Sequence, residues 1–436
     1  MRRHFLALCL TLALTACKGG DDTTPDGGVK PDGGSNPSSP FTKLTLDETA
    51  SDLQPLSLAV GPGDVVGVAY FFRVTPTSPD YEIRYIQVSG GQVSSSEKVA
   101  TVQRVYGLSL AFDSNGRPAV AYLGGGSDQS AFWFQSDTAV AFRTGANQWT
   151  ESVAVRRSNE AATGYDVSDN GFLVGINPAL VFNGTQAFVA YRDAHNGQGP
   201  QGDYAGSDVE VAIGGPGSWT ARMVQMGAND KLGHGGHINM VMANGQPAMV
   251  YDLVLGSADG TGQNVLFQRR KADGTWTTKY LVQAVGNTQR GASLAWDPVL
   301  GYGIAVVDRS DSKLTFTECK GNTATQCTVG SDWLAPDPVY QAGSGGWYPS
   351  LAIDPATHDP SIAFYICSNS AGANEGGCSP NDDELRVTTR VEGNWREVLV
   401  DSEGGWSPKM AYLSTGQRVI AYRHPFTGAL KLAVEQ

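Results

Sequence analysis

The chain has 436 residues, of which 41% are hydrophobic and 17% are charged, and it contains 54 glycines and 22 prolines. A chain of this length can bury a large core, but turns interrupt it so often that a β-rich fold is favoured. Its formal net charge of −12 disfavours nucleic acid and anionic membrane surfaces as partners.

The first residues have the pattern of an export signal. Two arginines precede an apolar run, Phe5 to Leu14, that is too short to span a bilayer comfortably, and small residues follow it before Cys17. The stretch LTAC, residues 14–17, resembles the lipobox of bacterial lipoproteins. This resemblance implies that 1–16 is a lipoprotein signal peptide and that Cys17 is acylated, which would anchor the chain to a membrane. An ordinary secretory peptide with an incidental cysteine is the less favoured alternative.

Residues 17–40 are predicted to be the lipidated cysteine followed by a flexible tether. Residues 18–40 contain no large apolar side chain other than Val29, so they cannot form a core. Lys18 follows the cysteine in place of the aspartate that retains lipoproteins at the inner membrane in the enteric sorting rule. We therefore expect an outer-membrane lipoprotein, which faces either the cell surface or the periplasm.

The rest of the chain repeats one pattern, a pair of short apolar strands joined by a turn. Seven copies occur: LSLAVGPGDVVGVAY (56–70), LSLAFDSNGRPAVAY (108–122), PALVFNGTQAFVAY (178–191), INMVMANGQPAMVY (238–251), ASLAWDPVLGYGIAV (292–306), PSLAIDPATHDPSIAF (349–364) and PKMAYLSTGQRVIAY (408–422). Most copies are followed by a weaker strand and then by a strand with a tryptophan, so each unit supplies four strands. A period near 59 residues is typical of a propeller blade.

The seventh copy ends after its third strand, whereas FTKLTLDETA (41–50) precedes the first copy, where an outermost strand would belong. We therefore predict an all-β fold in which residues 41–436 form one seven-bladed β-propeller closed by the N-terminal strand. The repeats resemble those of the broad sialidase-like propeller superfamily, which occurs in many bacterial surface lipoproteins.

Four cysteines remain once Cys9 leaves with the signal peptide and Cys17 is lipidated. An exported domain favours disulfides, and of three possible pairings we predict the local ones, Cys319–Cys327 and Cys367–Cys378. A four-cysteine zinc site is the alternative, although none of the spacings resembles CxxC.

The residues just before each first strand and just after each second strand should surround the mouth of the central channel. Unlike the core positions these residues differ between copies, as an asymmetric pocket requires. The predicted ligand-binding residues are Tyr106, Arg192, Asp193, His195, His237, Arg290, Arg309, Trp347, Tyr348, Trp406 and Arg423.

Each of these candidates also has a structural interpretation. The tryptophans suit either ligand stacking or packing. Asp193, like Asp252 and Asp308, comes just after a second strand, so capping a turn is its favoured interpretation. His234 and His237, with His195, are a weak metal-binding pattern because HxxH lies outside a helix here, so we predict no metal and no cofactor.

Two functions are compatible with this pattern. The favoured prediction is a non-catalytic binding or scaffold protein that recognises a glycan or a surface protein. The alternative is a glycoside hydrolase or lyase of the sialidase-like type, which would need three converging arginines and a tyrosine with an acidic partner. The sequence KADGTW matches the superfamily's Asp-box only loosely, and no Tyr–Glu pair stands out.

Replacing Cys17 with Ala tests the predicted anchor. The variant should lose its acylation and move from the membrane to the soluble fraction, because the acyl chains are the only evident hydrophobic anchor in the sequence. Fractionation with mass spectrometry measures this, and a variant that stays in the membrane with no partner protein present would contradict the lipoprotein assignment.

Overall fold

The computed structural model describes residues 39–48, 53–124, 136–156, 173–194, 207–227, 233–253, 264–286, 288, 291–309, 311–319, 327–368, 378 and 383–436. These residues form seven antiparallel sheets. Within the same ranges no helix is both long enough and apolar enough to cross a membrane.

Each sheet is one blade, and its strands follow one another from the axis outward. Blade 1 contains β2 (Leu56–Gly61), β3 (Val65–Arg73), β4 (Tyr81–Ser89), β5 (Gln92–Val93) and β6 (Glu97–Val102); blade 2 contains β7 (Leu108–Phe112), β8 (Pro118–Gly124), β9 (Asp137–Gly145) and β10 (Gln148–Val155). Blade 3 contains β11 (Val174–Asn183), β12 (Gln186–Asp193), β13 (Asp208–Gly215) and β14 (Ser218–Gln225); blade 4 contains β15 (Ile238–Ala243), β16 (Gln246–Asp252), β17 (Val265–Arg269) and β18 (Tyr280–Gln283).

The remaining blades follow the same plan. Blade 5 contains β19 (Ser293–Asp297), β20 (Gly301–Asp308), β21 (Lys313–Cys319), the 3-10 helix Gly330–Asp332 and β22 (Asp337–Tyr340); blade 6 contains β23 (Ser344–Ile353), β24 (Pro360–Ser368), β25 (Glu384–Val391) and β26 (Asn394–Asp401). Blade 7 contains β27 (Trp406–Tyr412), β28 (Arg418–Arg423), β29 (Leu430–Glu435) and β1 (Phe41–Asp47).

The repeated apolar pairs are the two inner strands of each blade, as predicted. Both faces of a second strand are covered by neighbouring blades, so its side chains are buried without alternation: Val68, Val120, Val189, Val250 and Ile304 are all 0% exposed. Blade 1 differs from the four-stranded prediction, because a short hairpin adds β5 to the sheet beside β6.

The ring closes in blade 7, where the first strand of the domain pairs with the last. Phe41 lies opposite Glu435 and Leu44 opposite Leu432 in an antiparallel register. The Gln436 N–H donates to the carbonyl oxygen of Pro40 at 2.9 Å. The predicted seven-bladed propeller with N-terminal closure is therefore confirmed.

The described structure begins at Ser39, inside the segment predicted as tether. Ser39 Oγ donates to the Val400 carbonyl oxygen at 3.0 Å. The predicted signal peptide, Cys17 and residues 18–38 lie outside the described residues.

Near the axis, side chains tie the inner strands of five blades to the next blade. The second residue of the repeated copy accepts a hydrogen bond from a backbone N–H of the following blade: Ser57 from Leu110 at 3.0 Å, Ser109 from Leu180 at 2.9 Å, Asn239 from Leu294 at 3.0 Å, Ser293 from Leu351 at 2.9 Å and Ser350 from Met410 at 2.9 Å. These bonds satisfy the edge of an inner strand that has no further strand to pair with. Ala179 and Lys409 occupy the same position in blades 3 and 7 and cannot accept such a bond.

At the outer rim, the repeated tryptophans tie blades together in the same direction. Trp149 Nε1 donates to Glu97 at 3.0 Å, and Trp219 Nε1 donates to Ser152 at 2.9 Å. Trp395 Nε1 donates to an oxygen of Asp337 at 2.8 Å. Each acceptor lies in the preceding blade, so the indoles add directional bonds to the packing expected of them.

Both predicted disulfides are present. Cys319 is bonded to Cys327 in blade 5, and Cys367 is bonded to Cys378 in the segment that follows β24. Each bridge closes a short loop and so restricts the unfolded chain more than the folded one.

Deleting Phe41–Asp47 tests the closure. The deletion removes β1 and exposes the edge of β29, so the melting temperature should fall by about 10 °C or more. Deleting residues 18–37, which the sequence predicts to be part of a tether, is the matched control, and it should change the melting temperature little. Equal losses in the two variants would contradict a stabilising role for β1.

Asp401 links blade 6 to the closing blade. It is 1% exposed and accepts bonds from Tyr422 Oη at 2.6 Å and from Lys43 Nζ at 3.0 Å. Burial by itself raises the pKa of Asp401, but the bonds from Tyr422, the Glu403 N–H and Lys43 outweigh it and hold the pKa below the ordinary value of 3.8. The ionised carboxylate therefore stabilises the contact between blade 6 and blade 7.

Asp401→Asn should lower the free energy of unfolding by about 1–3 kcal/mol near neutral pH. Because the pKa of Asp401 is lower in the folded than in the unfolded state, its stabilisation is complete above the unfolded pKa and is lost as the pH falls through the folded one. Urea unfolding should therefore give the same free energy of unfolding for wild type and Asp401→Asn at pH values below 3.8. Asp311→Asn, at an exposed carboxylate, is the control and should not lower the free energy of unfolding in this pH-dependent way. A difference between wild type and Asp401→Asn that stays constant with pH would contradict the assignment.

Candidate active site at the channel mouth

A cavity of about 380 Å³ opens at the end of the central channel where the inner strands begin. Its lining comes mainly from residues just before or near the start of β2, β7, β11, β15 and β27, so it lies towards blades 1 to 4 and blade 7. The lining residues are Pro55, Leu56, Val105, Tyr106, Gly107, Leu108, Leu173, Ile176, Asn177, Pro178, Arg192, Ala194, Gly236, His237, Ile238, Ser407 and Lys409.

The mouth residues share a backbone turn even though their side chains differ. Gly107, Asn177, Gly291, Tyr348 and Ser407 occupy equivalent positions, and all have a left-handed backbone, with φ between 49° and 97°. Glycine and asparagine adopt this conformation most readily, whereas it is uncommon for tyrosine. In these five blades the turn lies at or near the mouth end of the inner strand.

Asn177 joins three neighbouring mouth segments. Its backbone N–H donates to the Tyr106 carbonyl oxygen at 2.7 Å, and its side-chain Nδ2 donates to the Gly236 carbonyl oxygen. A Cβ added to Gly107 would lie 3.1 Å from the Asn177 Cα, so the small residue permits this contact. The rim of the cavity in blades 2 to 4 is thus held by direct bonds.

His237 is the most distinctive polar group of the cavity, because a buried carboxylate orients it. Its Nδ1 lies 3.1 Å from Asp252 Oδ2, and its backbone N–H donates to Asp252 Oδ1. The Asp252 side chain is fully buried, whereas that of His237 is 35% exposed. Since the carboxylate accepts, Nδ1 carries the proton, and Nε2 of the neutral ring keeps a lone pair for proton transfer.

Two glycines and one threonine make the pair possible. A Cβ on Gly236 would lie 2.5 Å from Asp252 Oδ1, so only glycine allows the carboxylate this close to the backbone, and a Cβ on Gly291 would lie 2.6 Å from that of His237. Thr288 Oγ1 donates to Asp252 Oδ2 and accepts from the Gly291 N–H at 3.1 Å. The imidazole is therefore fixed in one orientation.

Positive charge lines the cavity as well. Arg192, at the end of β12, is 4% exposed, and Lys409, in β27, lies at the junction with the channel beneath. None of the described lining residues is acidic. The cavity is thus a local site for negative charge on a protein whose net charge is −12.

The structure brings three of the predicted ligand-binding residues to this cavity: Tyr106, Arg192 and His237. Tyr106 is 42% exposed and offers both a ring face and a hydroxyl. Asp193, next to Arg192, is fully buried. His195 and Arg290 lie outside the described residues.

Three aromatic residues predicted to bind a ligand, Trp347, Tyr348 and Trp406, are buried. Trp347 is 1% exposed, Tyr348 4% and Trp406 3%, and all three belong to one core cluster between blades 5, 6 and 7. The rings of Tyr348 and Trp406 are 5.1 Å apart. Ligand contact by these residues stays a prediction, and the packing interpretation has the support of their burial.

The other predicted arginines have different surroundings. The Arg309 guanidinium lies 4.5 Å above the Trp347 ring. Arg423 is 1% exposed and donates to the carbonyl oxygens of Gln54, Gly428 and Phe71. No described contact brings Arg192, Arg309 and Arg423 together as a carboxylate-binding triad.

His234 and His237 face different environments. His234 is fully buried against the Tyr251 ring, and burial lowers its pKa to about 4 although Asp208 acts in the opposite direction. The His234 imidazole is therefore neutral near pH 7, while His237 is engaged by Asp252.

Tyrosine–carboxylate pairs, which the sequence did not reveal, occur inside the blades. Tyr191 donates to Glu210, and Tyr365 donates to Asp383 at 3.0 Å. Both tyrosines are at most 1% exposed, and burial raises the pKa of each. Similar pairs recur in other blades, such as Tyr70 with Asp47 at 2.6 Å, so they are part of blade packing and do not supply a nucleophile at the mouth.

Sequence reasoning overlooked Lys409 and assigned Asp252 to turn capping. The signal for Lys409 was available, because a lysine replaces the serine, asparagine or alanine of the other copies at a repeated position. Nothing in the sequence distinguished Asp252 or Thr288, whose role depends on the approach of the segments around Gly236 and Gly291.

No protein-family model matches the sequence, and no curated protein matches it. Solved structures do match. An α-L-arabinofuranosidase from Fusarium graminearum is 10% identical over 91% of this chain and 98% of its own, with a TM-score of 0.48. An α-L-arabinanase from Penicillium chrysogenum is 13% identical over 91% and 98%, with a TM-score of 0.45. A sialidase from Trypanosoma rangeli is 13% identical over 87% of this chain and 59% of its own, with a TM-score of 0.44.

These neighbours correct one prediction. The non-catalytic binding or scaffold protein expected from the sequence is contradicted, since the three structures named above are glycoside hydrolases, the class given by the alternative prediction. Likeness at these identities shows the fold alone. The chemistry therefore has to be argued from the cavity itself.

Proposed function

We propose that this protein is a glycoside hydrolase that cleaves an anionic glycan in the cavity at the channel mouth. The observation that carries the proposal is the His237–Asp252 pair, a proton-transfer group whose buried carboxylate fixes its tautomer and whose free nitrogen belongs to a cavity-lining ring.

The size and charge of the cavity support a charged saccharide as substrate. Its volume of about 380 Å³ is within the range of small-molecule sites, roughly 300–1,000 Å³. Arg192 and Lys409 supply the positive charge that a uronate, sialate or sulfated sugar would pair with. Tyr106 and Asn177 supply hydroxyl and amide groups at the rim, which suit the hydroxyls of a sugar ring.

In hydrolysis, Nε2 of His237 would take a proton from the attacking water as the water oxygen bonds to the anomeric carbon and the glycosidic bond breaks. The departing glycosidic oxygen would take its proton from solvent water. Asp252 stabilises the imidazolium that forms without taking the proton itself. Thr288 and the backbone of His237 saturate the carboxylate, so the pair needs no rearrangement during the reaction.

One observation favours a second candidate, a polysaccharide lyase. Glycoside hydrolases ordinarily use two carboxylates beside the scissile bond, and none of the described lining residues is acidic. Elimination from a uronate needs instead one base for the proton next to the sugar carboxylate, together with cations that neutralise that carboxylate. His237 with Arg192 and Lys409 meets this requirement.

The cellular location of the protein is part of the same proposal. The residues that support it are the arginines, apolar run and cysteine of 1–17. An outer-membrane lipoprotein would hold the catalytic domain at the membrane through acyl chains, with a glycan as the principal partner and no nucleic acid.

A screen of uronate-containing, sialylated and sulfated polysaccharides with the purified full chain tests the activity. His237→Ala should reduce cleavage about 100-fold or more, as the loss of a proton-transfer group does. New reducing ends report both reactions, whereas ultraviolet absorbance of a new carbon–carbon double bond reports the lyase alone.

His358→Ala is the matched control. His358 Nδ1 lies 2.9 Å from Asp297 in a pair of similar exposure on the turns of blades 5 and 6, away from the cavity. The His358→Ala variant should keep its activity. The unfolding midpoints of both variants should be compared, so that a loss of stability is not mistaken for a loss of catalysis. Full activity in His237→Ala, equal losses in the two variants, or no cleavage of any of these glycans would overturn the proposal.

A further inference from the structure

One peptide group at the mouth is held at both of its polar atoms. The carbonyl oxygen of Gly236 accepts a hydrogen bond from Asn177 Nδ2 in blade 3, and the N–H of the same peptide, which belongs to His237, donates to Asp252 Oδ1. The Gly236 N–H donates to the Asp252 carbonyl oxygen at 2.9 Å. These three bonds fix the backbone from which the imidazole of His237 extends.

The sequence before His237 gives this backbone little stiffness of its own. Gly235 and Gly236 precede the histidine, and Gly235 has a left-handed φ of 77°. A Cβ on Gly235 would lie 3.0 Å from the Arg192 Cβ, and a Cβ on Gly236 would lie 2.5 Å from Asp252 Oδ1, so larger residues would crowd both positions. Glycine restricts φ and ψ less than any other residue. The position of His237 therefore depends on the hydrogen bonds of its segment.

Asn177 is itself fixed, so it can anchor that segment. Its backbone N–H donates to the Tyr106 carbonyl oxygen at 2.7 Å, and Ile176 beside it pairs with Arg192 in the ladder of β11 and β12. Asn177 has the only amide side chain at this position of the seven copies. The other copies have Pro55, Gly107, His237, Gly291, Tyr348 and Ser407.

The carboxylate of Asp252 receives both the backbone and the ring of His237. Oδ1 accepts from the His237 N–H, and Oδ2 lies 3.1 Å from Nδ1 of the ring. Asp252 is fully buried and also accepts a bond from Thr288, so the carboxylate has little freedom to follow a displaced histidine. A shift of the Gly236–His237 peptide would therefore weaken the bond to Nδ1.

We infer that Asn177 is a positioning residue for His237. Its amide holds the Gly236 carbonyl oxygen from blade 3 and keeps the backbone of His237 where Nδ1 meets Asp252. The proton then stays on Nδ1 and the lone pair on Nε2. The part that Asn177 plays in catalysis rests on the proposed glycan cleavage, whereas its hold on the ring is a property of the protein without substrate.

A matched control lies at the other end of the same strand. Asn183, the last residue of β11, donates through Nδ2 to the Gly245 carbonyl oxygen of blade 4 at 3.1 Å. Asn177 and Asn183 thus make the same kind of bond between the same two blades, but Asn183 is not among the residues that line the mouth cavity. Glycine can adopt the left-handed turn of Asn177, as Gly107 does in blade 2.

Nitrogen-15 NMR of the imidazole rings in the full chain gives a readout that does not depend on activity. At about pH 8.5, where an ordinary imidazole is neutral, the signals of His237, assigned with His237→Ala, should show the proton on Nδ1. In Asn177→Gly the fraction of rings with the proton on Nε2 should rise about tenfold, as expected when a bond to a charged group is weakened. Asn183→Gly should leave this fraction as in wild type.

Kinetics on a glycan that the protein cleaves give the second readout. Asn177→Gly should lower kcat about tenfold or more with a smaller change in KM, because the proton-transfer group is displaced. Asn183→Gly should keep both constants. The melting temperatures of the two variants should be compared. If Asn177→Gly does not fold, Asn177→Ser replaces it, since Ser407 adopts the same turn in blade 7.

Three results would overturn the inference: an unchanged proton position in Asn177→Gly, equal changes in the two glycine variants, or a rise in KM with kcat unchanged. Absence of cleavage by the wild type would overturn the proposed function instead. The NMR comparison would then still decide whether Asn177 holds the ring.

Discussion

Hydrogen bonds between neighbouring inner strands hold this propeller together at its axis. An inner strand pairs with a partner on one side only, so half of its backbone groups face the channel as an unpaired edge. The side chain of Ser109, for example, reaches across from blade 2 and accepts the N–H of Leu180 in blade 3. In blades 2, 3, 5, 6 and 7 a left-handed mouth residue is followed by inner-strand residues that are held in this way, so these bonds fix the spacing of those mouth segments.

The inner strands repeat in all seven blades, whereas the residues of the candidate site differ from blade to blade. Blade 4 places Gly236 where its missing side chain lets Asp252 reach the backbone of His237, and blade 5 contributes Thr288 to the same carboxylate. His237 and Asp252 lie at the ends of strands of blade 4. Attachment to rigid strands keeps the geometry of catalytic groups constant. The histidine, its carboxylate and the two glycines lie outside the repeated copies, whereas Lys409 replaces the serine, asparagine or alanine of the other copies.

The repeat made the architecture predictable, because the core positions are constrained seven times by the same packing. The missing fourth strand of the last copy likewise identified β1, and short cysteine spacings identified both disulfides. Burial at the mouth was not predictable in this way. Trp347 and Arg423 precede or follow the repeated strands much as Tyr106 and Arg192 do, yet neighbouring blades cover the first two residues and leave Tyr106 open to the cavity. Which segments meet, as around Asp252, is decided by contacts between distant parts of the chain.

Closure by β1 and β29 also sets an order of events in folding. Phe41 is made 394 residues before its partner Glu435. The seventh sheet therefore cannot form until Glu435 has been made, and β1 has to remain unpaired until then. Pairing of such distant residues is also intrinsically slow. The ring therefore stays open for most of the time that the domain takes to be made.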